Sequence, residues 1–283
     1  MKIFNRSKTP LFYLNKRRKF VLSTFILTLI LISTTFLSGS WQYISIAILG
    51  AASLLFTVWS LSRDWVAASR ITTSIISVLY VLGAGMFAFL LPQQITEFWI
   101  FPVSPSYGIM LAVMIKVVFF LLFALGLYSL YLTENIFTVS TIRTIQLARA
   151  ANAVGFLMIL TIGFLGFNAI LSFRLPFYFI FITSFLISFP LFLVGLWSIK
   201  LEETISATLV VQSLTLAFIE AEYSTILSFW PISLTVGSLA LTTAMYVLLG
   251  LYQQDLLKRM FRKTVYEYLS VGLIVFVIIL LTI

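Results

Sequence analysis

Residues 201–231 read LEETISATLVVQSLTLAFIEAEYSTILSFWP. From about Thr204 to Leu227 the stretch is dominated by apolar and small residues, and it is long enough to cross a bilayer as a helix. Near its far end it carries two carboxylates, Glu220 and Glu222. Another run, Gly108–Leu132 (GIMLAVMIKVVFFLLFALGLYSLYL), holds the one basic residue deep within an apolar segment, Lys116. If the outer ends of these helices lie near Gly108 and Ser228, Lys116 and Glu220 each sit about 12 Å below the outer surface. The two glutamates stand about 200° apart around a helix, so only one of them faces Lys116 easily. The candidate intramembrane charge pair is therefore Lys116 with Glu220 or Glu222.

Composition sets the solvent. Of 283 residues, 61% are hydrophobic and 10% charged, against roughly half and a quarter in ordinary soluble domains. A soluble core of this size cannot hide that excess, so the chain faces lipid. Backbone groups in lipid are satisfied only in helices or closed barrels. The apolar runs are continuous and near twenty residues long, not alternating segments of about ten, so the fold class is all-α: a polytopic transmembrane helix bundle.

Nine spans are expected: Phe20–Leu37, Trp41–Ser62, Ile71–Leu91, Gly108–Leu132, Asn152–Leu171, Phe177–Ile199, Thr204–Leu227, Ile232–Tyr252 and Val265–Ile283. The close seventh–eighth pair and the Pro-rich loop leave eight or ten open. Residues 1–19, with seven Lys or Arg and no acid, form a basic cytoplasmic head, and residues 20–283 one integral membrane domain. With the N-terminus inside, sixteen of the eighteen basic residues fall on inner segments. Arg174 alone lies outside, so the positive-inside rule selects this orientation. The basic head, and Lys258, Arg259, Arg262 and Lys263, then meet anionic lipid at the cytoplasmic face, at about 1 kcal/mol each. This accounts for the net charge of +9 without nucleic acid.

Smaller features refine the picture. Gly83-Ala84-Gly85 offers another backbone a close approach, and Asn168 a bond across helices. Pro190 marks a kink in the sixth span. The outer loop Pro92–Tyr107, with Trp99 and Phe101, suits the headgroup layer, where it lies on the membrane or dips into it. Ile136, Val139, Ile142 and Ile145 recur every third residue and predict a short interfacial helix on the inner side.

No chemistry is written in familiar form. Cysteine and histidine are absent, which removes disulfides, thiol catalysis and most zinc sites. No H-E-x-x-H, G-x-S-x-G, P-loop or G-x-G-x-x-G occurs, and no cofactor is implied. For Lys116, Glu220 and Glu222 the bland readings are a lysine that snorkels outward with both glutamates at the interface, or a static bridge that fixes packing.

Two stretches carry a resemblance. The first is ENIFTVSTIRTIQLARAANAVGF with the following ILSFRLPFYF and SFPLFLVGLWSIKLEE; the second is AEYSTILSFWPISLTVGSLALTTAMYVLLGL. Together, over roughly Thr133–Ile283, they resemble an uncharacterised family of multi-pass membrane proteins from small-genome candidate-phylum bacteria. The resemblance implies a bacterial plasma (inner) membrane and an all-helical fold, and brings no assigned activity. The expected function is non-enzymatic, in membrane assembly or the binding of membrane-protein partners. The alternatives are a small solute or ion transporter using Lys116 and Glu220, and a lipid-acting enzyme at the outer face near Glu97.

Overall fold

The computed structural model describes residues 15–37, 39–61, 66–98, 101–102, 104–142 and 146–282. Most of the basic head, and Trp99, Arg143 and Ile145, lie outside the described residues. Among those described, nearly all regular structure is helical: α1 (Lys16–Thr34), α2 (Ser40–Leu61), α3 (Ala67–Leu90), α4 (Pro105–Ser140), α5 (Ala148–Ser172), α6 (Phe177–Lys200), α7 (Ala207–Ser228), α8 (Leu234–Leu256) and α9 (Arg262–Thr282). The exception is a small antiparallel hairpin in the outer loop, β1 (Glu97–Phe98) with β2 (Phe101–Pro102). The loop also folds back on α4, with Ile95 N–H donating to Gly108 C=O at 3.2 Å.

Seven of these helices, α2 to α6 with α8 and α9, are long and apolar enough to cross a membrane. The other two fall short for legible reasons. α1 opens on Lys16-Arg17-Arg18-Lys19, and α7 carries Gln212, Glu220 and Glu222.

Boundaries follow local chemistry. Ser206 and Ser233 cap α7 and α8, their hydroxyls accepting from Leu209 N–H and Val236 N–H, which satisfies donors the helix leaves unpaired. Pro105 opens α4 where its missing N–H costs nothing. Leu201 ends α6 in the left-handed region, φ 51°. α6 continues through Pro190, which lies inside the helix.

One expectation is overturned at the C-terminal end of α4. No separate interfacial helix forms from Ile136 and Val139; both continue α4, which runs 36 residues to Ser140. At 1.5 Å per residue that is about 54 Å, well beyond the ~30 Å hydrocarbon layer. Burial holds the extension in register: Thr133, Glu134, Phe137 and Thr138 are all buried against the bundle.

α5 is central and packs against α3, α4, α6 and α8. Its contact with α3 uses the small residues as expected: a Cβ on Gly83 would meet Leu165 Cβ at 3.4 Å and Gly166 N at 3.6 Å. Tyr80 on α3 stacks on Phe123 of α4 at 5.3 Å, and Phe20 on α1 stacks on Tyr131 at 5.8 Å. Much of the N-terminal half of α4 and nearly all of α9 are left exposed. Gly83→Leu should therefore lower the thermal midpoint in detergent, at an overpacking cost of about 1–3 kcal/mol. An unchanged midpoint would contradict the α3–α5 contact.

Candidate functional site

The α6–α7 pair packs most closely, and its sequence shows why. The connection Leu201–Ser206 is short, so the two helices run antiparallel as neighbours. On α7, Ser213, Ala217 and Ala221 recur at four-residue spacing on the buried stripe; on α6, Ser184 and Ser188 do the same. Small residues at that spacing let helix backbones approach. The register is set where Ser184 Oγ and Ser224 Oγ share a hydrogen bond of 2.7 Å.

One turn inward from that bond, the seam changes character. The next turn of α6 presents Ser188 and the preceding turn of α7 presents Glu220, both fully buried. Neither Glu220 Oε1, nor Glu220 Oε2, nor Ser188 Oγ has a hydrogen-bond partner among the described residues. Most buried hydroxyls here behave otherwise, donating to a carbonyl three or four residues back, as Ser213 does to Leu209 and Ser198 to Gly195. A carboxylate in lipid-embedded protein without a partner costs several kcal/mol.

Beyond the Ser184–Ser224 bond, toward Arg174, a cavity of about 440 Å³ lies among the end of α5, the start of α6, the end of α7 and the start of α8. Ile180, one turn before Ser184, and Leu227, about one turn after Ser224, line it together with Arg174, Trp230 and Gly237. Glu220 thus lies about two helical turns, roughly 11 Å, along α7 from this vestibule.

The structure places Lys116 elsewhere. It is half-buried on the outer half of α4, flanked by exposed Ile115 and Val117. Glu222 is exposed on α7. Among the described residues, no ion pair joins Lys116 to Glu220 or Glu222. The reason is lateral: α4 packs against α1, α3 and α5, whereas α7 packs against α6 and α8. Equal depth did not bring equal azimuth. Glu97 lies in β1; the surroundings of its side chain are outside the described residues.

Asn168 does bond across helices, donating from Nδ2 to Ser238 Oγ on α8 at 3.1 Å. A second buried carboxylate, Glu134 on α4, was not singled out by sequence. Thr73 Oγ1 on α3 donates to its Oε2 at 3.0 Å, and the neighbouring Asn135 Oδ1 accepts from Lys16 Nζ at 3.2 Å. This cluster ties α1, α3 and α4 together near the start of α1 and the C-terminal end of α4. The only hint was polarity itself: Thr133-Glu134-Asn135 reads as loop, although Thr133 and Glu134 are buried. Among the described residues no three acids gather as a metal-binding group. A single carboxylate with hydroxyls suits a small hard cation or a proton, not a transition metal.

Thr73→Val keeps shape and removes the donor to Glu134. It should cost about 1–3 kcal/mol of stability, with a smaller increment in a Glu134→Leu background. Equal losses in both backgrounds would show that the bond contributes nothing.

No curated protein and no solved structure matches the chain. Residues 86–282 match a family described as a protein of unknown function, DUF5656, a span that takes in α4 to α9, the seam and the vestibule. By that match over more than half its length, the chain belongs to the DUF5656 family.

Proposed function

We propose that this chain is a nine-span protein of a bacterial plasma membrane, with its N-terminus in the cytoplasm, and that it passes a small ion or solute across the bilayer rather than catalysing a reaction. The carrying observation is Glu220: a fully buried carboxylate without a partner among the described residues, at the closest-packed seam, two turns from a vestibule that this topology places on the outer side. Ionisable groups at such positions are costly and mark ion pathways and proton relays in membrane proteins. The proline inside α6 adds to this reading, since Pro190 leaves Leu186 C=O without its helical donor and weakens the helix beside Ser188.

The topology rests on the distribution of basic residues, and α1 and α7 count as spans because both contribute buried residues to the bundle that holds the seven more apolar helices. The basic segments anchor the inner face to anionic lipid. A second reading, assembly with a membrane partner, is favoured by Lys116, which lies in an otherwise apolar outward surface of α4.

Two experiments separate these claims. The chain lacks cysteine, so single cysteines report on sidedness cleanly. Cysteines at Ser233 and Pro176 should react with an impermeant thiol reagent in intact cells, and one at Ser206 only after permeabilisation; the reverse pattern would invert the topology. In proteoliposomes, ion flux through the intact protein should exceed that of Glu220→Gln at least tenfold. Equal flux, or none from either, would remove the carrier reading and favour assembly.

A further inference from the structure

Three oxygens face an unanswered demand at the same level of the α6–α7 seam: both carboxylate oxygens of Glu220 and the hydroxyl of Ser188. One turn outward, the Ser184 and Ser224 hydroxyls bond to each other, with either able to act as donor. All five are oxygen donors or acceptors, the ligand type that hard cations take. No nitrogen or sulfur ligand is interposed among these four side chains, which argues against softer metals. Their side chains are completely buried, so a guest there meets protein oxygens in place of water.

Charge fixes the valence. One carboxylate balances one positive charge; a divalent guest would leave an uncompensated charge in a low-dielectric seam, which is strongly unfavourable. Lys116 sits on a different flank and does not occupy the role of counter-ion. Size is bounded by the wall: the small side chains Ala217 and Ala221 on α7 are buried in the seam, and helices held close at small residues argue for a compact ion over an organic ammonium.

We infer that the seam is a binding site for one small monovalent alkali cation of the sodium type, held by Glu220 and Ser188 and reached from the outer vestibule past the Ser184–Ser224 bond. This rests on the carrier reading for its purpose and names its cargo or coupling ion. It does not rest on it for its existence. Entry requires that the Ser184–Ser224 bond exchange a mutual contact for contacts to the ion. Both hydroxyls can rotate to present lone pairs, and the two serine side chains have to swing apart for the ion to pass, so the bond works as a clasp.

The test is thermal unfolding of the full chain in detergent, with sodium chloride, lithium chloride, potassium chloride or choline chloride at equal ionic strength. A ligand that binds only the folded state raises the midpoint as its concentration exceeds the dissociation constant. Sodium at 100 mM should raise the midpoint by about 2 °C or more relative to choline, with potassium giving less than half that shift. Glu220→Gln keeps volume and should abolish the shift while folding as well as the parent. Glu220→Asp should retain a reduced shift, and Ser188→Ala should raise the sodium concentration needed for half the shift by at least threefold. A shift that survives Glu220→Gln, or identical curves in all four salts, would overturn the site. Should Glu220→Gln fail to fold, Glu220→Asp and Ser188→Ala decide alone: shifts unchanged in both would overturn it equally. A sodium shift with no Glu220-dependent flux would keep the site and sink the carrier reading; flux without a shift would do the opposite.

Discussion

Lipid offers no hydrogen bonds, and every polar group in this chain has to be read against that constraint. The backbone answers it by folding into helices, which satisfy their own amides. The hydroxyls answer it in the same local way: Thr28, Thr57, Thr72, Thr138 and Thr242 each donate to a carbonyl of their own helix. Such residues do not call for a function. A smaller set reaches between helices, among them Thr73 to Glu134, Lys16 to Asn135, Tyr80 to the carbonyl of Phe123, Asn168 to Ser238, Gln253 to the carbonyl of Gly195, and Ser184 with Ser224. These bonds fix which helices are neighbours and in which register. Among the described residues, what is left after both accountings is short, and Glu220 stands out in it as the only carboxylate.

The sequence disclosed much of the fold because the governing period is coarse. A run of twenty apolar residues between basic turns specifies a helix whatever it packs against, and the observed helices α2, α6 and α8 begin within two residues of the expected Trp41, Phe177 and Ile232. Close approach was legible too, since glycine at Gly83 leaves a gap that only a neighbouring backbone fills well. The inner end was not. Thr133-Glu134-Asn135 and Ile136–Val139 have the polarity of a loop and the spacing of a surface helix, yet tertiary contacts with α1 and α3 carry them as part of α4. Polarity reports a residue's preference for water, and burial at Glu134 is decided by partners on α3 that lie sixty-one positions away.

The site was half legible for a similar reason. Depth can be counted along a helix, and Lys116 and Glu220 lie within α4 and α7, away from their ends. Azimuth and neighbourhood cannot be counted. They depend on which face each helix turns inward and on the order of helices around the bundle, and α4 and α7 have different neighbours. Of the two glutamates, the one that is buried lies on the stripe with Ser213, Ala217, Ala221 and Ser224. That stripe was present in the sequence as small residues at intervals of three and four. It would have separated Glu220 from Glu222 had it been weighed above depth.

The polarity of α7 bears on how the seam came to be there. Alone, this helix is among the least suited to lipid of the nine described, and the more apolar α6 precedes it across a short turn. α7 packs on α6 and α8 at the side of the bundle, leaves Val211, Phe218 and Ile226 exposed and turns Ser213, Glu220 and Ser224 inward, so the stability of α7 in the membrane depends on staying against the more deeply buried α6. Replacing Glu220 by an apolar residue would make α7 a better membrane helix and the seam easier to pack, since unpaired buried charge is the expensive element. A helix whose only duty was to pack would have no physical reason to hold a carboxylate at its tightest contact. Its position there, on the same seam as Ser188, which has no partner among the described residues, and two turns from the vestibule, is what the inferred cation requires: a charge of opposite sign, oxygen in place of water, and walls close enough to keep the water out.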